Sequence, residues 1–257
     1  MIALAELLQI SRETLMLGFA VFLRVGAAMA LLPAFGERTV PMRVRGVLAL
    51  AFTLITAPAV ASMMPVLDPD FYLGTFLFAE VVIGLTLGAL LRLFVLALQI
   101  AGSIAAQSVS LAQILGGAAL DPQPAIGHIM VISGLALAVM LGLHVKIVQL
   151  FVLSYDLLPA GQFPAPSDLL EWGIERVARA FALGFSLAAP FVITSLVYNL
   201  ALGVINRAMP QLMVSFVGAP AITAGGLILL MLALPFILQI WVSAMDGFLI
   251  DPVGAPR

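Results

Sequence analysis

The sequence predicts an all-α polytopic membrane protein of kinked helical hairpins, with about six long apolar helices and one irregular plug-like helix or loop. Three observations carry this. Five runs hold no Asp, Glu, Lys or Arg: Gly46–Leu67 (22 residues), Leu93–Leu120 (28), Pro122–Val145 (24), Ala180–Asn206 (27) and Ala208–Met245 (38). A hydrocarbon core about 30 Å thick is crossed by roughly 20 apolar helical residues, so each run is long enough to span. Hydrophobic residues make up 63% of the chain and charged residues 9%, against about 25% charged in an ordinary soluble domain. Little of this surface is meant for water.

The charge balance narrows the function. With 11 Lys+Arg against 13 Asp+Glu, the net charge is −2. No basic excess points to nucleic acid, and no polybasic block points to anchoring on anionic lipid. Cysteine is absent, which excludes disulfides, thiolate metal sites and cysteine nucleophiles. A secretory signal begins with a basic region. Here Glu6 comes first and Arg12 adjoins Glu13, so Ile2, Leu4, Leu7, Leu8 and Leu15 read as an amphipathic lead-in helix.

The elements follow in order. The first apolar segment, Thr14–Pro33, carries Arg24 near its middle, and a polar turn, Gly36-Glu37-Arg38-Thr39, leads to Arg43 and Arg45. Gly46–Leu67 ends at Asp68-Pro69-Asp70. The positive-inside rule puts the loop with three arginines in the cytoplasm, although the bias fades later, where Arg176 and Arg179 would fall outside. Phe71–Leu91 carries Glu80 and is expected to stop at Arg92. In Leu93–Leu120, Gln99, Ser103, Gln107 and Ser110 recur at helical spacing and share one face. Gly116-Gly117 and Asp121-Pro122 then break the helix.

A single segment is expected from about Ala125 to Leu153, with His128, His144 and Lys146. After a Pro/Gly loop, Ser167-Asp168 caps an amphipathic helix bearing Glu171, Glu175, Arg176 and Arg179, which feeds into Ala180–Asn206 with a kink at Pro190. The last run would reach about 57 Å at 1.5 Å per residue. Pro210, Pro220, Gly225-Gly226 and Pro235 are therefore expected to divide or bend it.

Ionisable groups inside apolar segments cost about 2.5–3.5 kcal/mol each on insertion scales. They are Arg24, Glu80 and Lys146, with Arg92 and Arg207 at segment edges. Glu80, Gly84, Gly88 and Arg92 lie four apart, and Gly84-x3-Gly88 lets another backbone approach closely. The favoured reading packs this stripe on a partner helix, with Glu80 meeting a basic group. A proton carrier is the alternative, poorly served by one carboxylate without an acidic relay. The two histidines, 16 residues apart on one helix, point about 160° apart. They read as capping or interfacial groups, and neither a metal nor a cofactor site is expected. No catalytic triad, phosphate loop or metal-ligand spacing occurs. Gly184-Phe185-Ser186-Leu187-Ala188 only half resembles a nucleophile elbow, so no enzyme activity is expected. The polar face ending in a double glycine reads either as a long helix with a solvated loop or as a small flexible plug. Irregular backbone at membrane depth must be buried in protein or line a wet cavity.

Along nearly its whole length the chain resembles the FliR family, a membrane component of the flagellar type III secretion export gate. The residues that carry the resemblance begin with Phe22-Leu23-Arg24, Pro33-Ala34-Phe35-Gly36 and Val40-Pro41-Met42-Arg43-Val44-Arg45. Glu80 with Gly84 and Gly88, Ala101-Gly102, Gln107 and Asp121-Pro122 follow. Ser154 with Leu158-Pro159-Ala160-Gly161, then Arg207-Ala208-Met209-Pro210-Gln211-Leu212 and Gly218-Ala219-Pro220, complete the series. Many members carry asparagine where Met213 stands, and no role is assigned there.

The resemblance implies a non-enzymatic subunit of a protein-conducting channel in the bacterial inner membrane, within the flagellar basal body. Its implied partners are FliP and FliQ in a closed helical assembly, FlhB around the entrance and FlhA beneath, with unfolded flagellar proteins in transit. Residues 1–175 are similar to FliP, and residues 176–257 to a FliQ-type hairpin. The family's plug corresponds to Ser108–Asp121, including Ser108, Ser110, Gln113, Leu115, Gly116, Gly117 and Asp121. Arg24 and Glu80 are expected to find buried partners between subunits. The homologous subunit of a virulence injectisome differs only in cargo. A small-molecule secondary transporter would need a midplane site and inverted repeats, which are not visible.

Overall fold

Apolar helical periodicity becomes helix wherever the chain is described. The computed structural model describes residues 2–65, 73–110, 125–209 and 214–254. The elements are α1 (Ile2–Met29), α2 (Met42–Val60), a 3-10 turn (Ala61–Met63), α3 (Leu73–Ser110), α4 (Ala125–Met140), α5 (Leu143–Leu157), α6 (Pro166–Ala208) and α7 (Val214–Ile250). No strand occurs among the described residues. The fold is all-α and polytopic. Four helices are long and apolar enough to cross a membrane, or five if α4 and α5 count as one broken span.

Several element boundaries differ from the sequence reading. Arg92 does not stop a helix: α3 runs through it unbroken for 38 residues. A charge ends an apolar window, but only loss of backbone bonding ends a helix, and neither Gly nor Pro stands at this point. Conversely, the expected single segment from Ala125 divides at Gly142, whose φ of 82° is left-handed and accessible to glycine without a steric penalty. His128 and His144 therefore sit on different helices, both exposed. Pro220 and Pro235 lie inside α7 without dividing it; neighbouring packing tolerates the lost backbone bond in apolar helices. Pro210 lies outside the described residues. Helix α6 starts at Pro166, with Asp168 in its first turn. Proline is pre-organised for that first position, and the Ser167 hydroxyl donates to Asp168 Oδ1 rather than capping the helix. The lead-in and first apolar segment are one helix, α1.

By contact density the chain forms two units. The first comprises Met1–Arg92, Val139–Glu175 and Gly247–Arg257. Its core holds Val21, Val25, Leu32, Ile83, Leu143 and Phe151, all essentially inaccessible. Within it the Arg92 guanidinium pairs with Glu37 of the α1–α2 loop, and Trp172 Nε1–H donates to the Pro252 carbonyl at 2.9 Å.

The second unit comprises Leu93–Ala138 and Arg176–Asp246. Its core gathers Val95, Leu98, Ala101, Met130, Phe191 and Trp241. Trp241 is fully buried, and its Nε1–H donates to the Phe94 carbonyl at 2.8 Å. Helices α3 and α4 touch at Gly102 and Gly127: a Cβ built on Gly102 would stand 2.2 Å from Gly127 Cα. Gly102→Val should therefore lower stability by about 1–3 kcal/mol, as overpacking does, seen as a lower Tm in detergent. Gly18→Ala, facing open space, should leave Tm unchanged or slightly raised. Equal Tm values for the two variants would refute this packing.

Candidate functional site

The cluster around Arg24 and Glu80 lies wholly within the first unit. Arg24 projects from α1 and Glu80 from α3, and both side chains have no solvent exposure. Arg24 Nε donates to Glu80 Oε2 at 2.7 Å and Nη2 to Oε1 at 3.0 Å. This two-pronged geometry matches the planar guanidinium to the carboxylate. Nη1 donates to the carbonyl and the hydroxyl of Ser154, both at 3.1 Å, and Nη2 also donates to the Leu158 carbonyl at 3.0 Å. A guanidinium has five N–H donors, so its capacity is used in full. Glu80 also accepts from the Tyr155 hydroxyl at 3.2 Å and from the Gly161 amide at 2.9 Å. The Tyr155 ring faces the guanidinium, 3.6 Å from centroid to carbon.

Glycines set the approach that makes this pairing possible. A Cβ on Gly84 would lie 2.1 Å from the Arg24 carbonyl, and one on Gly88 2.6 Å from the Ala28 carbonyl. Helices α1 and α3 thus meet backbone to backbone directly beside the ion pair. The stripe Glu80, Gly84, Gly88 and Arg92 does face a partner helix and the loop beyond it, as its spacing predicts. That partner is α1 of the same chain. The expectation that Arg24 and Glu80 find their partners between subunits is corrected here, because each satisfies the other internally.

Gly161 closes the cluster. Its φ of 72° is left-handed, and a Cβ there would strike the Phe76 ring at 2.0 Å. The sequence reading missed Tyr155, the Ser154 hydroxyl and the Leu158 carbonyl as partners of Arg24. The available signal was the Leu158-Pro159-Ala160-Gly161 turn following a Ser-Tyr pair at the end of an apolar helix.

The other singled-out residues scatter. In the second unit, Gln99 and Gln107 are exposed and Ser103 half-buried on one face of α3. Gln107 Nε2 donates to Ser103 Oγ at 3.1 Å. The opposite face, with Leu98, Ala101 and Ala105, is buried. Ser108 sits on that inner side, its hydroxyl donating to the Ile104 carbonyl of its own helix at 2.8 Å. Ser110 belongs to the last turn of α3. Gln113, Leu115, Gly116, Gly117 and Asp121 lie outside the described residues. Lys146 is half-buried on α5, whereas Arg207 is exposed rather than buried, at the last turn of α6, where a cation suits the helix dipole.

Removing one member of a buried, hydrogen-bonded ion pair costs about 3–5 kcal/mol, whereas apolar replacement of both is often close to neutral. Arg24→Ala and Glu80→Ala should each destabilise the chain by roughly that amount, and Arg24→Met with Glu80→Leu should recover most of the loss. Denaturation of the chain in detergent measures all three. A double variant as unstable as the two single losses added together would contradict a closed pair.

Comparison with known proteins adds to this geometry. Residues 15–248 match the family described as bacterial export proteins, family 1. The flagellar biosynthetic protein FliR of Caulobacter vibrioides is 35% identical over 224 residues, covering 86% of this chain and 89% of the relative. Its namesake in Escherichia coli K12 is 30% identical over 238 residues, covering 90% of each. That of Bacillus subtilis 168 is 29% identical over 223 residues, covering 84% of this chain and 85% of the relative. Matched from the first apolar helix almost to the end of the last, this chain belongs to the FliR family of bacterial export proteins.

Proposed function

We propose that the chain is a non-enzymatic core subunit of the flagellar protein export apparatus in the bacterial inner membrane. There it helps form and seal the conduit for unfolded flagellar proteins. Its family supports the apparatus. One physical observation supports the role of subunit: the helices are far longer than a membrane needs. Helices of 43, 38 and 37 residues reach about 65, 57 and 56 Å along their axes at 1.5 Å per residue. A hydrocarbon core is about 30 Å thick. Only 33% of the most apolar α6 window and 28% of the α7 window is buried within the chain. Phe181, Phe185, Met231 and Phe236 stand at least 60% exposed. Lipid can cover about half of such lengths, and other protein must cover the rest.

In this reading the partners are FliP and FliQ around the chain, with FlhB and FlhA on the cytoplasmic side. The polar face of Gln99, Ser103 and Gln107 turns toward the conduit. The segment from Ser108 to Asp121, including Gly116-Gly117, obstructs it at rest. Glu80 serves structure and not proton transfer, since each of its oxygens is already held by two donors. Replacing Glu80 by alanine should therefore lose assembled complex and export together. Full assembly with export abolished would favour proton transfer instead.

Co-purification and mass measurement test the central claim. The chain should be recovered from membranes in a multi-subunit complex. A stable solute-binding monomer would overturn the proposal in favour of a transporter. Deleting Gly116-Gly117 should raise ion leakage across the membrane; unchanged conductance would remove the plug from the proposal.

A further inference from the structure

Arg45 of the first unit is turned toward the helix packing, yet no carboxylate meets it among the described residues. Helix α2 packs on α1 and α5, and its buried residues are Ala49, Phe52, Thr53, Thr56 and Val60. Arg45 stands one helical turn before Ala49 and two before Phe52, so it continues the same inward face. It is half-buried, and its Nε is shut off from solvent with no hydrogen-bond partner among the described residues. A shielded cationic donor left unbonded is costly, because it gives up water and gains no acceptor. In the same unit Arg24 and Arg92 each hold a glutamate.

Nothing nearby in the sequence can serve it. Glu37 is the one acid between Met29 and Val60, and Arg92 takes it. Arg38 and Arg43 are exposed, and among the described residues neither side chain has a hydrogen bond or an ion pair. Arg43 and Arg45 also stand in the opening turn of α2, which has no acidic residue and no side-chain cap. The helix dipole favours anions over cations at that end. Three arginines are thus gathered where local preference asks for a carboxylate. Breaches of local preference that a chain does not compensate internally mark functional positions.

The surroundings select the partner. A loop meant only for water would leave its arginines solvated, whereas Arg45 Nε is sealed. Met42 and Val44, which alternate with the arginines, are 79% and 46% exposed. Protein interfaces favour this mixture, being enriched in methionine and arginine and depleted in lysine. A guanidinium fork also matches both oxygens of a carboxylate. We propose that Arg45, flanked by Arg38 and Arg43, receives an Asp or Glu side chain from a neighbouring protein chain that covers the start of α2. The proposal rests on the reading of the chain as a subunit.

The whole complex, extracted from membranes through a tag on the chain and quantified by mass spectrometry, tests it. Arg45→Met should lower co-recovery of the neighbour about tenfold, the effect of truncating one partner of a shielded charge pair. The same variant, purified by itself in detergent, should melt no lower than the unaltered chain, since methionine keeps the apolar stem and removes the unbonded donor. Arg45→Lys keeps the charge without the fork, and its co-recovery should lie between. A photo-cross-linker at Val44 should capture a segment bearing Asp or Glu, and replacing that acid by alanine should add nothing to the loss from Arg45→Met. Undiminished co-recovery with Arg45→Met would overturn the assignment. So would a fall in its Tm that accounts for the lost complex, or cross-links confined to lipid or to a segment without an acid. An unaltered chain recovered with no neighbour would end the subunit reading as well, whereas a complex indifferent to Arg45 removes this contact alone.

Discussion

Two opposite charges placed where water cannot reach impose the strictest requirement on this molecule. Arg24 and Glu80 have no exposure, so every donor and acceptor they carry must find a protein partner. That requirement propagates outward. The two-pronged contact needs α1 and α3 in register, which needs hydrogen rather than a side chain at positions 84 and 88. The remaining guanidinium donors need the last turn of α5 and the carbonyl of Leu158. The second lone pair of Glu80 Oε1 needs the Gly161 amide, delivered by a left-handed turn. Four separate parts of the sequence are thereby committed to one geometry. An apolar core alone would leave their relative rotation less well defined, because hydrophobic contact is not directional.

This explains which parts of the fold and site were legible beforehand. The stripe from Glu80 to Arg92 follows from fourfold spacing alone, and its direction toward a close-packed helix follows from the glycines. The identity of that helix does not follow, because spacing is a local property and Arg24 lies 56 residues away. The apolar helices were evident from missing charge, yet their ends were not. Arg92 interrupts apolarity without interrupting hydrogen bonding, while Leu141-Gly142 interrupts hydrogen bonding inside an apolar run. The segment assigned as plug around Gly116-Gly117 lies outside the described residues, so its reading rests on composition and family resemblance.

The same physics links stability to assembly. Helices of this length and apolarity bury a third or less of their most apolar windows in α6 and α7, leaving a surface that only lipid and neighbouring protein can satisfy. The Arg24–Glu80 pair, by contrast, is satisfied within the chain.

The placement of the two tryptophans has a practical consequence. Trp172 falls in the first unit and Trp241 in the second, and the chain has no others. Their indoles sit in different surroundings, one at a cavity wall and one sealed against a helix backbone. Replacing either by phenylalanine would leave a single native fluorophore. The order in which the two halves melt or acquire structure during insertion would then be readable by spectroscopy, without an added dye.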